Sequence, residues 1–315
     1  MPARAAVRLL VLALFGTLVG GLASSAYAAP GDLDPTFGSG GVQTTPIGPA
    51  DDVAHGMAVQ PDGKVIAVGH TFNGSIDDFA VARYTTAGVL DPTFGSGGKV
   101  STTIGSTGAE AFAAVVQPDG KIVLAGWAFT ATAYDIAVVR YTSSGTLDPT
   151  FGSGGKTTTD FGNTDEVGSA IALQPDGKIV VVGNTGGFFS HDFALVRYTS
   201  SGALDGSFGT SGRVVTNFLT DDVALAAAIQ PDGKIVAGGY ALGASGYDFG
   251  LARYTTAGAL DTSFGSGGKV TTSIGSSSDL AQSLALQPDG KIVAAGYTSN
   301  GTNNDFALAR FTTAG

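Results

Sequence analysis

The 315-residue chain has no cysteine, three histidines, two methionines and one tryptophan, and only 13% of its residues are charged. Without cysteine the fold cannot rest on disulfides, and no thiolate is on hand as a nucleophile or soft metal ligand. The histidines, His55, His70 and His191, fall at unrelated places, and no Gly-x-Ser-x-Gly elbow occurs. A Ser-His-Asp assembly therefore has little to build on, no catalytic residue is assigned, and the chain is read as non-enzymatic. Basic residues are scarce as well, 16 against 26 acids. Nucleic acid and anionic lipid both require a basic patch, so neither is an expected partner.

Long apolar runs are also missing, apart from Leu9 to Leu22. Arg4 and Arg8 precede that run and Ala26-Tyr27-Ala28 follows it, the pattern of a signal peptide cut after Ala28. The run is short for a membrane span. The expectation is a secreted or extracytoplasmic monomer without membrane insertion, with residues 29–315 as one folded domain. Removing residues 1–28 takes away two arginines and no acid, for a net charge of about −12.

Glycine is abundant, with 49 residues against 12 prolines, and 43% of the chain is hydrophobic. Glycines set between runs of Val, Ile, Ala and Tyr point to many short strands joined by tight turns. The runs repeat. Gln-Pro-Asp-Gly-Lys begins at Gln60, Gln117, Gln174, Gln230 and Gln287, and Leu-Asp-x-x-Phe-Gly at Leu33, Leu90, Leu147, Leu204 and Leu260. An Asp with Arg five residues later recurs at Asp78, Asp135, Asp192, Asp248 and Asp305. One unit of about 57 residues is thus used five times.

Each unit reads as four antiparallel strands, in the first copy Val53 to Val59, Lys64 to Gly69, Asp78 to Tyr84 and Lys99 to Ile104. Proline second and glycine fourth in Gln60-Pro61-Asp62-Gly63 suit a type I turn with a following bulge. Four antiparallel strands make a propeller blade, so the fold class is all-β, a five-bladed β-propeller. Alternate residues of the first strand are very small (Ala54, Gly56 and Ala58 in the first copy), which suggests a bare face at a crowded axis. The segment Leu33 to Ile47 is a fourth strand without a blade, and the last unit stops after its third strand. The two ends are expected to pair and close the ring, with a piece of a longer array as the alternative.

The runs Leu90-Asp91-Pro92-Thr93-Phe94-Gly95, Gln60-Pro61-Asp62-Gly63-Lys64 and Asp305-Phe306-Ala307-Leu308-Ala309-Arg310, with their copies, resemble the delta-60 repeat family of bacterial secreted β-propellers. The resemblance spans residues 31–315. It implies an exported propeller and transfers no catalytic residue.

The repeated Asp and Arg of the third strand are read as blade packing, because a catalytic centre needs unlike residues in unlike roles. Their arginine has the turn Asp, such as Asp91, as its expected partner. The lysine of Gln-Pro-Asp-Gly-Lys is read as a solvated strand start, and Phe37, Phe94, Phe151, Phe208 and Phe264 as core plugs. Acids precede every first strand. Asp52, Glu110, Asp165, Asp222 and Asp279 would ring one mouth of the channel, where oxygen ligands could hold Ca²⁺; a solvated acidic rim without cofactor is the plainer reading. The same acids open an alternative, a glycoside hydrolase using channel-mouth carboxylates.

The connections between second and third strands differ among copies, on what propeller connectivity makes the same face. Trp127, Phe129, Tyr134, Phe188, Phe189, Tyr247 and Tyr297 lie in or beside them and are the candidate contacts to a glycan or protein ligand. A purely structural repeat remains the second alternative.

Overall fold

The computed structural model describes residues 31–130, 132–162, 164–187 and 190–315, and the expected signal segment lies outside them. Every regular element among them is a strand. The first blade is β1 (Asp52–Val59), β2 (Val65–Phe72), β3 (Asp77–Tyr84) and β4 (Lys99–Thr102). The second is β5 (Ala109–Val116), β6 (Ile122–Thr130), β7 (Ala133–Tyr141) and β8 (Lys156–Thr159). The third is β9 (Asp165–Leu173), β10 (Ile179–Gly187), β11 (Ser190–Tyr198) and β12 (Arg213–Thr216). The fourth is β13 (Asp222–Ile229), β14 (Ile235–Leu242), β15 (Tyr247–Tyr254) and β16 (Lys269–Thr272). The fifth has three strands, β17 (Asp279–Leu286), β18 (Ile292–Ser299) and β19 (Asn304–Phe311). In each sheet neighbours in sequence pair antiparallel, so the chain is a five-bladed β-propeller.

The Gln-Pro-Asp-Gly-Lys turn forms as its residues require. Gln60 O accepts from Gly63 N at 2.9 Å, Lys64 O accepts from Gln60 N at 2.8 Å, and Gly63 takes φ +82°, which side-chain-bearing residues avoid. Inner strands then pair with second strands, with one irregularity in each: the register skips His55, Phe112, Ser169, Leu225 and Gln282. Each is a β-bulge residue, re-aimed out of the ladder. A glycine faces each bulge, because a Cβ on Gly69 would stand 1.8 Å from Val53 O, and Gly126, Gly183, Gly239 and Gly296 meet the same obstacle.

The bulge corrects one expectation. The small residues of the inner strands face the neighbouring sheets: a Cβ on Gly56 would stand 2.4 Å from Phe112 O of the second blade, and Ala111, Ala224 and Ala281 are fully buried. What lines the axis is the bulged residue, of any size.

Apolar residues form four clusters, one between each successive pair of blades. Each junction carries the same polar network. Arg83 Nε lies 2.9 Å from Asp91 Oδ2, its Nη1 donates to Ser143 O of the next blade at 2.6 Å, and its guanidinium sits 4.6 Å from the Phe94 ring centroid. Arg140, Arg197 and Arg253 repeat this with Asp148, Asp205 and Asp261, over Phe151, Phe208 and Phe264. Those four phenylalanines are fully buried, whereas Phe37 is half-buried. The lysine departs from its solvated reading. Lys64 reaches Asp91 at 3.1 Å, and Lys121, Lys178 and Lys234 reach the equivalent acids, so each Asp carries two cations.

The closing pair of strands is where the structure differs from the sequence expectation. Among the described residues β19 pairs with β18 alone. Residues 45–48 are held on the first blade instead: Thr45 Oγ1 accepts from Tyr84 Oη at 2.8 Å, Pro46 O from Lys99 Nζ at 2.8 Å, and Asp52 takes Ile47 N and Gly48 N. The tyrosine–threonine bond recurs where the second, third and fourth blades meet the outer strand before them, in Tyr141 to Thr102, Tyr198 with Thr159 and Tyr254 to Thr216. The segment therefore keeps its place on the first sheet, and the fifth sheet does not rise to meet it.

Candidate functional site

The five bulges bring unlike side chains to one place. His55, Phe112, Ser169, Leu225 and Gln282, one per blade, line a cavity of about 500 Å³ on the axis, with Val167, Asn184 and Val223 completing its wall. Above them stands a second layer from the second strands, where His70, Trp127, Asn184, Tyr240 and Tyr297 hold equivalent registers. Framework positions repeat from blade to blade and these do not, as expected where a rigid scaffold carries a binding surface. Neither layer was singled out from sequence as a whole, because the bulge that aims it leaves no mark in the alternation of residues.

Two histidines meet a carboxylate between the first two blades. His55 Nε2 lies 3.1 Å from His70 Nδ1, and Glu110 Oε2 is 3.6 Å from the first and 3.8 Å from the second. Phe112 flanks the His55 ring at 4.9 Å. Burial draws the His55 pKa below its ordinary value, more than Glu110 raises it, and His70 lowers it further.

The five acids expected at the mouth do not converge. Asp52, Asp222 and Asp279 turn into their own blades and accept backbone N–H groups of the preceding loop, from Ile47, Phe218 and Ile274 respectively. Burial raises the Asp222 pKa, opposed by the bonds from Phe218 and Leu219. Asp165 accepts from Tyr134 N across a blade junction. In the third blade Glu166, fully buried with Thr164 and Thr185 on its carboxylate, takes the inward role that Asp222 has in the fourth. Glu110 stands one register later than Asp52, Asp222 and Asp279, pairs with Trp127, and so faces the histidines.

Of the expected aromatics, the structure groups three in the second blade. Tyr134, 38% exposed, packs edge-on to Trp127 at 4.6 Å and to Phe129 at 5.3 Å. In the fourth blade Tyr247 packs on Tyr240 at 4.8 Å, a partner the sequence reading missed. Tyr247 Oη donates to Asp221 at 2.6 Å, and that bond, with burial, pushes its pKa up to about 12. Asp221 also holds His191 Nδ1 at 2.7 Å. Tyr297 is half-buried in the fifth blade, and Phe188 and Phe189 lie outside the described residues.

A family model described as Domain of unknown function (DUF5122) beta-propeller matches residues 60–94, 117–151, 174–208, 230–264 and 287–315, more than half of the chain. The chain belongs to this family. Each of the first four matched stretches runs from the turn glutamine to the buried phenylalanine, so what the family shares is the turn and junction framework, and the bulged inner strand lies outside every match. Among solved structures, a protein of unknown function from Dyadobacter fermentans DSM 18053 is similar over 81% of this chain and 74% of its own, at 11% identity and TM-score 0.50. Another of unknown function, from Bacteroides caccae, is similar over 83% of this chain and 78% of its own, at 10% identity and TM-score 0.47. A polysaccharide lyase, a PL25 ulvan lyase, is similar over 82% of this chain and 64% of its own, at 12% identity and TM-score 0.48. At such identities likeness concerns the fold alone. No curated protein matches the chain.

Proposed function

We propose that this DUF5122 propeller is a non-enzymatic binding module, exported by its N-terminal segment, that takes a glycan or protein ligand at the axial cavity and the aromatic rim above it. The observation that carries this reading is the contrast within each repeat: junction residues are copies, whereas the bulged residues lining the cavity differ in all five blades. Exposed Tyr134, with half-buried Trp127 against it, offers an aromatic surface on which sugars stack or protein anchors seat. Likeness to the delta-60 repeats of exported bacterial proteins is part of the same reading. No helix among the described residues is long and apolar enough to cross a membrane. The hydrolase alternative has less support, because Asp52, Asp222 and Asp279 are engaged by backbone N–H groups.

A glycan array and a pull-down with the purified chain test the proposal. Trp127→Ala is expected to abolish whatever binding they find, and Lys291→Ala, at the turn where Lys291 pairs with Asp289, to leave it intact. Loss with Lys291→Ala and retention with Trp127→Ala would move the working surface to the turn face.

A further inference from the structure

Three features of the His55, His70 and Glu110 group bear on what it binds. The first is geometry. Around a zinc-like ion with ligand atoms at about 2.0–2.1 Å, tetrahedral donors stand roughly 3.3 Å from one another. The three edges here are 3.1, 3.6 and 3.8 Å, so a single ion can reach all three with shifts of a few tenths of an ångström. The second is donor chemistry. Two imidazoles and one carboxylate are a borderline set, suited to zinc and its neighbours and poorly suited to calcium, which takes oxygen.

The third is the repeat itself, which provides its own control. At the place of His55 the other blades have Phe112, Ser169, Leu225 and Gln282; at His70, Trp127, Asn184, Tyr240 and Tyr297; at Glu110, Val53, Val167, Val223 and Leu280. None of the three is needed to build a blade. Two of the molecule's three histidines nonetheless stand at non-equivalent positions of one blade, facing a glutamate of the next.

The geometry points to a divalent transition-metal site formed by His55 Nε2, His70 Nδ1 and Glu110 Oε2, with zinc as its reference ion. His55 also lines the axial cavity, so three protein donors leave a coordination position open on the cavity side for water or a ligand's oxygen. The ion joins first and second blades at the point where their inner strands meet. This inference stands apart from the proposed binding role and holds whether or not a glycan or protein partner exists.

Zinc titrated calorimetrically into the chelator-stripped chain is the test, with Cu²⁺ quenching of Trp127, the cross-strand partner of Glu110, as a second readout. One ion per chain is expected, with a raised melting temperature. The informative variants graft residues that sister blades already tolerate: His55→Ser, His70→Asn and Glu110→Val copy the third blade. Each is expected to weaken zinc at least about 100-fold, more than loss of an outer partner typically costs. His191→Ala and Asp160→Asn are expected to leave it unchanged; Asp160 belongs to the other metal-capable group, with Asp135 and Glu166. No binding by the parent chain at millimolar zinc would overturn the assignment. So would affinity that survives His70→Asn, or that is lost with His191→Ala or Asp160→Asn instead.

Discussion

Phe249 and Phe306 occupy the same place in the third strands of the fourth and fifth sheets, yet one is fully buried and the other 98% exposed. Leu251 and Leu308, two residues on, repeat the contrast at 0% and 70%. The difference lies in what comes next in the ring. Phe249 meets the small-residue face of β17, as Phe79, Ile136 and Phe193 meet the blades that follow them, whereas nothing among the described residues covers β19. On the far side of this seam the first inner strand is bare too, with Met57 64% and Val59 58% exposed. A propeller blade is thus half a core. Its sequence suffices for the strands, but burial comes from the neighbour, and stability is close to a sum over junctions.

The comparison breaks most visibly at that phenylalanine. Phe249→Ala is expected to cost about 3–5 kcal/mol, the range for emptying a buried aromatic site. Phe306→Ala, with little to lose, is expected to stay within about 0.5 kcal/mol. Denaturant melts of the two variants measure both. An equal loss at both positions would mean that β19 is covered in solution, as it would be if the segment Leu33 to Ile47 paired with the last unit and closed the ring.

The seam should also be blind to acid in a way the junctions are not. Burial tends to raise the pKa of Asp148, but bonds from Thr150 and the charges of Arg140 and Lys121 outweigh it and leave it at about 2. Asp91, Asp205 and Asp261 are likewise held below the ordinary carboxylate range. A depressed folded pKa stabilises above the unfolded value of about 4, and the gain fades as pH falls through the folded value. The chain should therefore lose junction stability between about pH 4 and pH 2. Asp148→Asn is expected to cost about 2 kcal/mol at neutral pH and to converge on the parent stability in strong acid. Arg310 is exposed, and among the described residues no turn acid pairs with it, so Arg310→Ala should leave the acid profile unchanged. Acid-induced unfolding followed by circular dichroism distinguishes the two.

The fold was legible in the chain because turns and alternation are local. Gln-Pro-Asp-Gly-Lys set the hairpin, and the partner of Arg83 followed from the burial of an arginine beside a repeated acid. The site was legible only in part. Trp127 and Tyr134 are candidates from sequence because they lie in or beside connections that differ among copies, but the grouping of His55, His70 and Glu110 depends on a bulge that re-aims one residue and on register across a blade junction. The acids misled for the same reason. Glu110 and Asp52 look alike in sequence, and a one-residue offset turns one toward the histidines and the other into its own loop. The lysine of the turn was read alone, and its role shows only when Asp91 folds back on it.

The smallest expected effect lies one strand end away from the seam. Tyr84, Tyr141, Tyr198 and Tyr254 close their third strands, and each hydroxyl bonds a threonine of the preceding outer strand: Thr45, Thr102, Thr159 and Thr216. The fifth blade has Phe311 there, 7% exposed, and the threonine in the equivalent place is Thr272. The ring therefore sits in the pocket that its sisters occupy, short of one oxygen. Phe311→Tyr adds that oxygen where four precedents place it 2.6–2.9 Å from a threonine Oγ1. A hydrogen bond of this kind contributes about 0.5–1.5 kcal/mol net, so the variant should melt slightly higher than the parent. Tyr198→Phe should lose a similar amount. The pair of substitutions asks whether the fifth blade differs from the others only in lacking a neighbour or also in how firmly it docks on the fourth. A gain at Phe311 matching the loss at Tyr198 supports the first answer. No gain, with Tyr198→Phe still costly, would mean that an uncovered sheet holds its strand ends too loosely to use the bond.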